Sequence, residues 1–222
     1  MQEDIWVRLH DQKTKSVNTK EENKMERKKL ISRIDRNNVT PEQKAAIEHH
    51  IAQGYRITNM KETLLHNVTA FTSLEEGSYA VGKELRAKIG KRADILFGYA
   101  ISSGNECPIC GNYFKWVLED QLGVKDFDHF EFTDEEIELI DFAAALVKDP
   151  NHVPDEVYEP LQRRYDEETL VLLITSAVLT LANNYWNNIV GTAIDDYLHE
   201  GHFVERQLDI QEAVKESVKV SA

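Results

Sequence analysis

Within residues 92–103 apolar side chains crowd every face of a helical projection. Ile95, Leu96, Phe97, Tyr99, Ala100 and Ile101 leave no polar stripe to meet water. A helix that is apolar all round lies inside a protein, so the rest of the chain must be built around this segment. What surrounds it also reads as helix. Thr40-Pro41-Glu42-Gln43 and Thr133-Asp134-Glu135-Glu136 both carry the capping-box pattern, the first with proline at the first helical position. The stripe Ile137, Ile140, Phe142, Ala143, Leu146 and Val147 predicts a helix that Asp149-Pro150 ends. Other helices are predicted from Glu21 to Asn37-Asn38 on the stripe Met25, Leu30, Ile31 and Ile34, and over 59–69, 73–89, 107–122, 155–165, 166–182 and about 184–200.

No segment reads as a strand, and only 10 Gly and 5 Pro in 222 residues argue against a turn-rich β fold, so the expected class is all-α. Residues 1–20 read as a mobile arm whose docking part is Ile5, Trp6, Val7 and Leu9; 21–203 as a single helical domain; and 204–222 as a C-terminal helix and tail. A buried helix, a short break and a second helix occur at 92–122 and again at 166–200, a topological echo without sequence identity. A net charge of −13 argues against nucleic acid or anionic membrane as partners, and the basic residues of 20–36 are interleaved with acids as on a solvated helix face. The start of the chain has no apolar signal-like region, and the apolar run from Leu170 to Ala182, interrupted by Thr175, Ser176 and Thr180, reads as a core helix too short to span a bilayer. A cytoplasmic protein is expected.

The chain has two cysteines, both in Gly104-Asn105-Glu106-Cys107-Pro108-Ile109-Cys110, too few for a disulfide scaffold. At the start of a helix, residues three apart share a face and lie close enough for a disulfide. The unsatisfied backbone N–H groups and the positive end of the helix dipole stabilise a thiolate there. That predicts a dithiol pair able to attack a peroxide or a disulfide. Two other readings stand beside it: a pair of small buried hydrophobes, and half of a zinc site whose second half is missing, since His49-His50, His66 and His129 lack ligand spacing. His129, His199 and His202 read as surface or interface residues.

The succession of an apolar helix, Gly104 to Cys110 opening a second helix, the acidic box before Phe142-Ala143-Ala144-Ala145-Leu146, and the late run Leu181-Ala182-Asn183-Asn184-Tyr185-Trp186-Asn187-Asn188-Ile189-Val190-Gly191 resembles the carboxymuconolactone decarboxylase and alkylhydroperoxidase D-like superfamily, in its peroxidase-related branch, over about residues 60–198. The resemblance implies an all-α alkylhydroperoxidase D-like fold with the cysteine pair at a helix N-terminus, assembled as a trimer, hexamer or dimer-based homo-oligomer. It implies a thiol-dependent antioxidant enzyme without cofactor or metal, acting on a peroxide or disulfide and regenerated by an external dithiol reductant. By that analogy Cys110 attacks and becomes a sulfenic acid, which Cys107 resolves to a disulfide. The family's relay does not carry over: Ile95 stands where a glutamate is usual and Phe114 where a histidine is. Asp94 and Glu106 are the candidates to replace it, with Tyr113 nearby. Redox sensing without turnover, and decarboxylation of a lactone or keto acid, are the alternatives. The Asn-rich run reads as hydrogen bonding within a helix interface rather than as substrate contact.

Overall fold

The computed structural model describes residues 30–124 and 130–198; the arm 1–20, the segment 204–222, and His129, His199 and His202 lie outside the described residues. Among the described residues the protein is all-helical, with eight α-helices and no strand. They are α1 (Pro41–Ala52), α2 (Asn59–Leu64), α3 (Val68–Ile89), α4 (Lys91–Gly104), α5 (Pro108–Trp116), α6 (Asp134–Lys148), α7 (Asp155–Arg164) and α8 (Glu167–Val190). A π-helical turn, Val117–Gln121, prolongs α5, and a 3-10 turn, Asp196–Leu198, follows α8.

Helix α4 is the centre. Ile95, Leu96, Phe97, Tyr99 and Ile101 are at most 1% exposed, as an all-round apolar helix must be. It packs most extensively on α6, where Phe97 and Phe142 stack with ring centroids 6.0 Å apart. The N-termini of these two helices are tied together by one carboxylate. Glu136 closes the capping box on Thr133 and also receives Arg92 Nε and Nη2 at 2.6 and 2.7 Å. Removing the guanidinium would therefore leave a buried carboxylate unpaired and loosen a helix cap at once. Helices α3 and α8 pack against each other and complete the shell that holds the site.

Three sequence expectations change. The helix predicted from Glu21 is not continued in the described part: residues 30–40 are non-helical, with Leu30 N–H donating to Val190 O (3.2 Å) and Ile34 N–H to Glu62 O (3.1 Å). The stripe there is sparse, and carbonyls left open at the ends of α8 and α2 offered this backbone partners that a local helix would forgo. The helices predicted over 59–69 and 73–89 redivide at Asn67, whose side chain caps Ala70 N–H and starts α3 five residues early. The third change removes the echo: Glu167–Val190 is one uninterrupted 24-residue helix running through the break expected near Asn183. Asn184, Asn187 and Asn188 spend their amides on other elements rather than on their own helix backbone, which runs on until Gly191, left-handed at φ 69°, ends it.

That helix is the core helix expected from Leu170 to Ala182 on one face only. Leu173 and Ala177 are buried, whereas Val171, Ile174, Val178, Tyr185 and Ile189 are exposed. Among the described residues it is the one helix long and apolar enough, by length and composition, to cross a membrane.

Candidate functional site: a buried dithiol on a helical cavity

The turn from α4 to α5 places the cysteines. Glu106 adopts a left-handed φ of 50°, a conformation that costs a residue with a Cβ about 1–2 kcal/mol, and this reverses the chain so that Cys107 N–H returns to Ser102 O at 2.9 Å. Cys107 is the N-cap of α5, with Pro108 at the first helical position and its sulfur accepting Cys110 N–H at 3.5 Å. Both cysteines are free thiols. Cys107 is fully buried, while Cys110 is half-buried and lines a cavity of about 430 Å³.

The two thiols do not have equal acidity. The Cys110 thiol donating to its sulfur, helped by the backbone N–H groups of Cys110 and Ile109, holds Cys107 below the usual thiol value. The same hydrogen bond, together with burial, pushes Cys110 well above it. The helix-capping sulfur is thus the more acidic of the two and the cavity-facing sulfur the less acidic.

Four helix faces enclose the cavity. Cys110, Tyr113 and Phe114 come from one side of α5 and Asp94 and Gly98 from the facing side of α4. Glu75, Tyr79, Gly82 and Arg86 form a stripe on α3, and Ser176, Thr180, Asn183 and Asn187 the matching stripe on α8. Both stripes run at i, i+4, i+7 and i+11, the spacing of a single helix face.

Asp94 lines the cavity, where its carboxylate receives Arg86 Nε at 2.6 Å; burial raises its pKa and Arg86 opposes the rise. Glu106 is exposed and does not line the cavity. Ile95 is buried in the core, and Phe114 lies with its ring on Gly98 so closely that a Cβ at 98 would stand 2.4 Å from Phe114 Cζ. The glycine is what lets an aromatic ring occupy this place.

The Asn-rich run divides by role. Asn184 Nδ2 donates to Ser102 Oγ at 3.1 Å and Asn188 Nδ2 to Asn105 O at 3.3 Å, which fastens α8 to the cysteine-bearing turn, as the interface reading expects. Asn187 does something that reading omits. Its Nδ2 donates at 3.3 Å to Cys110 Sγ and at 3.3 Å to Met60 Sδ, while its Oδ1 is buried without a partner. A thioether can only accept, so Met60 decides which end of the carboxamide faces the sulfurs. Both cysteines are made more acidic by it.

Further round the wall, Lys61 Nζ lies 3.3 Å from Glu75, 2.6 Å from Tyr79 OH and 2.9 Å from Arg56 O, all in a largely dry setting. Burial pushes Lys61 down and Glu75 up, each opposed by the other. Neither residue is singled out by the cysteine motif. The only sequence signal for them is that Glu75, Tyr79 and Arg86 fall on one helix face, which gains meaning once α3 is known to face α8. No group of three or more metal-binding side chains occurs among the described residues.

No protein-family model matches the chain, and no curated protein matches its sequence. Among solved structures, the crystal structure of the apo form of the debrominase Bmp8 matches over 85% of this chain and 97% of that chain, at 16% identity and a TM-score of 0.59. At that identity the likeness shows shared fold alone: the chain is a distant structural relative of that helical protein.

Proposed function

We propose that the protein is a thiol-dependent reductase of small electrophiles, hydroperoxides first, using Cys110 as the attacking group and Cys107 as its base and resolving thiol. The observation that carries this reading is the placement of the pair: Cys110 lines the cavity, and Cys107 is buried behind it at the helix N-cap, its sulfur accepting Cys110 N–H at 3.5 Å and its thiol held below the usual value. Transfer of the Cys110 proton to Cys107 frees a thiolate at the cavity, so the dithiol supplies the base that Ile95 and Phe114 cannot. Cys110 sulfur then attacks the terminal peroxide oxygen, the O–O bond breaks, and the alkoxide leaves to take a proton from solvent. The sulfenic acid on Cys110 is attacked by Cys107, releasing water and forming the disulfide. An external dithiol returns both electrons. The remote fold relationship to an enzyme and the resemblance of the motifs support an enzymatic role.

Stopped-flow mixing with cumene hydroperoxide, followed by mass spectrometry, tests this. The expected result is one disulfide between Cys107 and Cys110 per peroxide, and repeated turnover with a dithiol present. A Cys110→Ser protein that consumes peroxide as fast as the wild type would refute it, and a single oxidation that no dithiol can reverse would leave no catalytic cycle. A second reading takes its observation from the structural relative, which is a debrominase. Reduction of a carbon–bromine bond would consume the same two thiol electrons and release bromide, which an ion-selective electrode would detect.

A further inference from the structure

Three cationic side chains line the cavity, and two are committed. Lys61 is paired with Glu75, and Arg86 gives its Nε to Asp94. The third, Arg56, has no carboxylate within ion-pairing distance among the described residues, although the cavity also contains Asp195. Asp195 is engaged elsewhere, accepting Asn59 N–H at 2.7 Å. Arg56 is exposed at the edge of the cavity, open to a ligand that enters from solvent. Arg56 is also held in place. Its guanidinium lies 4.7 Å from the Tyr197 ring centroid and 5.7 Å from that of Trp116, and its backbone carbonyl accepts Lys61 Nζ. Two aromatic rings hold the cation through their faces and leave N–H donors unclaimed, the fork that matches a carboxylate.

We propose that Arg56 is the anchor for the carboxylate of an organic substrate whose reactive bond reaches Cys110. Trp116 stands six residues beyond Cys110, about 9 Å along the helix axis, so Arg56 and Cys110 line the same cavity at different levels of α5 and a ligand touching both must be longer than hydrogen peroxide. The class is an anionic, ring- or chain-bearing hydroperoxide or disulfide, larger than hydrogen peroxide, lying along Tyr113 and Trp116. This inference rests on Cys110 being the reacting thiol.

Two aromatic disulfides, each compared between variant and wild type, separate the two claims: dithiobis-nitrobenzoate, which carries a carboxylate on each ring, and neutral dithiodipyridine. In both, Cys110 sulfur attacks one sulfur of the probe, the S–S bond breaks and one aryl thiolate leaves. Cys107 then attacks the mixed disulfide, the second aryl thiolate leaves, and the pair ends oxidised. Release of the coloured thiolate is read by stopped flow. In Arg56→Gln the rate with the anionic probe is expected to fall about tenfold, the worth of one charged hydrogen bond, with the neutral probe changed by less than about twofold. Arg56→Lys, which keeps the charge and loses the fork, is expected to fall between. Lys44→Gln, an exposed site far from the cysteines in sequence, should change neither rate. Equal losses with both probes, an unchanged anionic rate in Arg56→Gln, or an equal effect of Lys44→Gln would overturn the anchor. A Cys110→Ser protein still releasing thiolate at the wild-type rate would instead overturn the thiol assignment.

Discussion

Replacing Asn187 by leucine should make the protein less reactive without making it less stable, and the two effects have separate sources in one carboxamide. Its Nδ2 gives a hydrogen bond to Cys110 Sγ at 3.3 Å, and its Oδ1 is buried with none. Both cysteines are made more acidic by this amide, and a hydrogen bond to a charged sulfur is worth about 1.5–3 kcal/mol; the long N–H···S geometry places this one at the low end, so its loss raises the pH midpoint of the pair's first ionisation and slows alkylation below that midpoint about tenfold. The unpartnered carbonyl costs about 1–3 kcal/mol, which leucine removes while adding helix propensity and apolar burial. Thermal stability should therefore hold or rise as acidity falls. The assay is the pH dependence of iodoacetamide alkylation, resolved by peptide mass spectrometry, beside a melting curve. Met60→Leu, which removes the acceptor that orients the amide, should move the midpoint in the same direction by less. An Asn187→Leu protein with the wild-type midpoint would refute the reasoning, and so would a midpoint shift accompanied by a collapse of the melting temperature.

Gly98→Ala should destabilise by up to about 2 kcal/mol in the wild type, because overpacking against Phe114 outweighs the gain in helix propensity, and should become stabilising in a Phe114→Leu background; urea titrations of the four proteins check the sign reversal. His50 is buried among Tyr55, Phe71 and Tyr79, and burial lowers its pKa from 6.5 to about 4. The unfolded chain then binds a proton between those two values that the folded chain refuses, so stability is lost as pH falls through that window, by about 3 kcal/mol at most. His50→Gln should flatten this part of the melting-temperature profile, and a profile parallel to the wild type would contradict the assignment. Glu75→Ala strands the buried Lys61 ammonium and should cost about 3–5 kcal/mol, whereas changing both residues to apolar ones of similar volume should recover most of it in the same denaturation experiment.

Much of this architecture is written locally. The all-round apolar pattern of α4, the two capping boxes, and Cys107-Pro108-Ile109-Cys110 opening α5 depend on residues a few positions apart, so helix class, centre and cysteine placement are legible in the chain itself. Where the reading erred, the deciding partner was remote. Residues 30–40 gave up a weak helix for carbonyls of α8 and α2, and the expected break near Asn183 vanished because the neighbouring amides bond Ser102 and Cys110 instead of their own backbone.

The chemistry divides the same way. That two cysteines stand three positions apart at the opening of a helix is determined by sequence. Which sulfur is held the more acidic, which one faces the cavity, and that Asn187, Met60 and Arg56 line the same cavity were decided by packing alone. A hydrogen bond or an ion pair acts over a few ångströms, and Asn187 bonds Cys110 and Met60 from 77 and 127 residues away in the chain, a juxtaposition that no local pattern encodes.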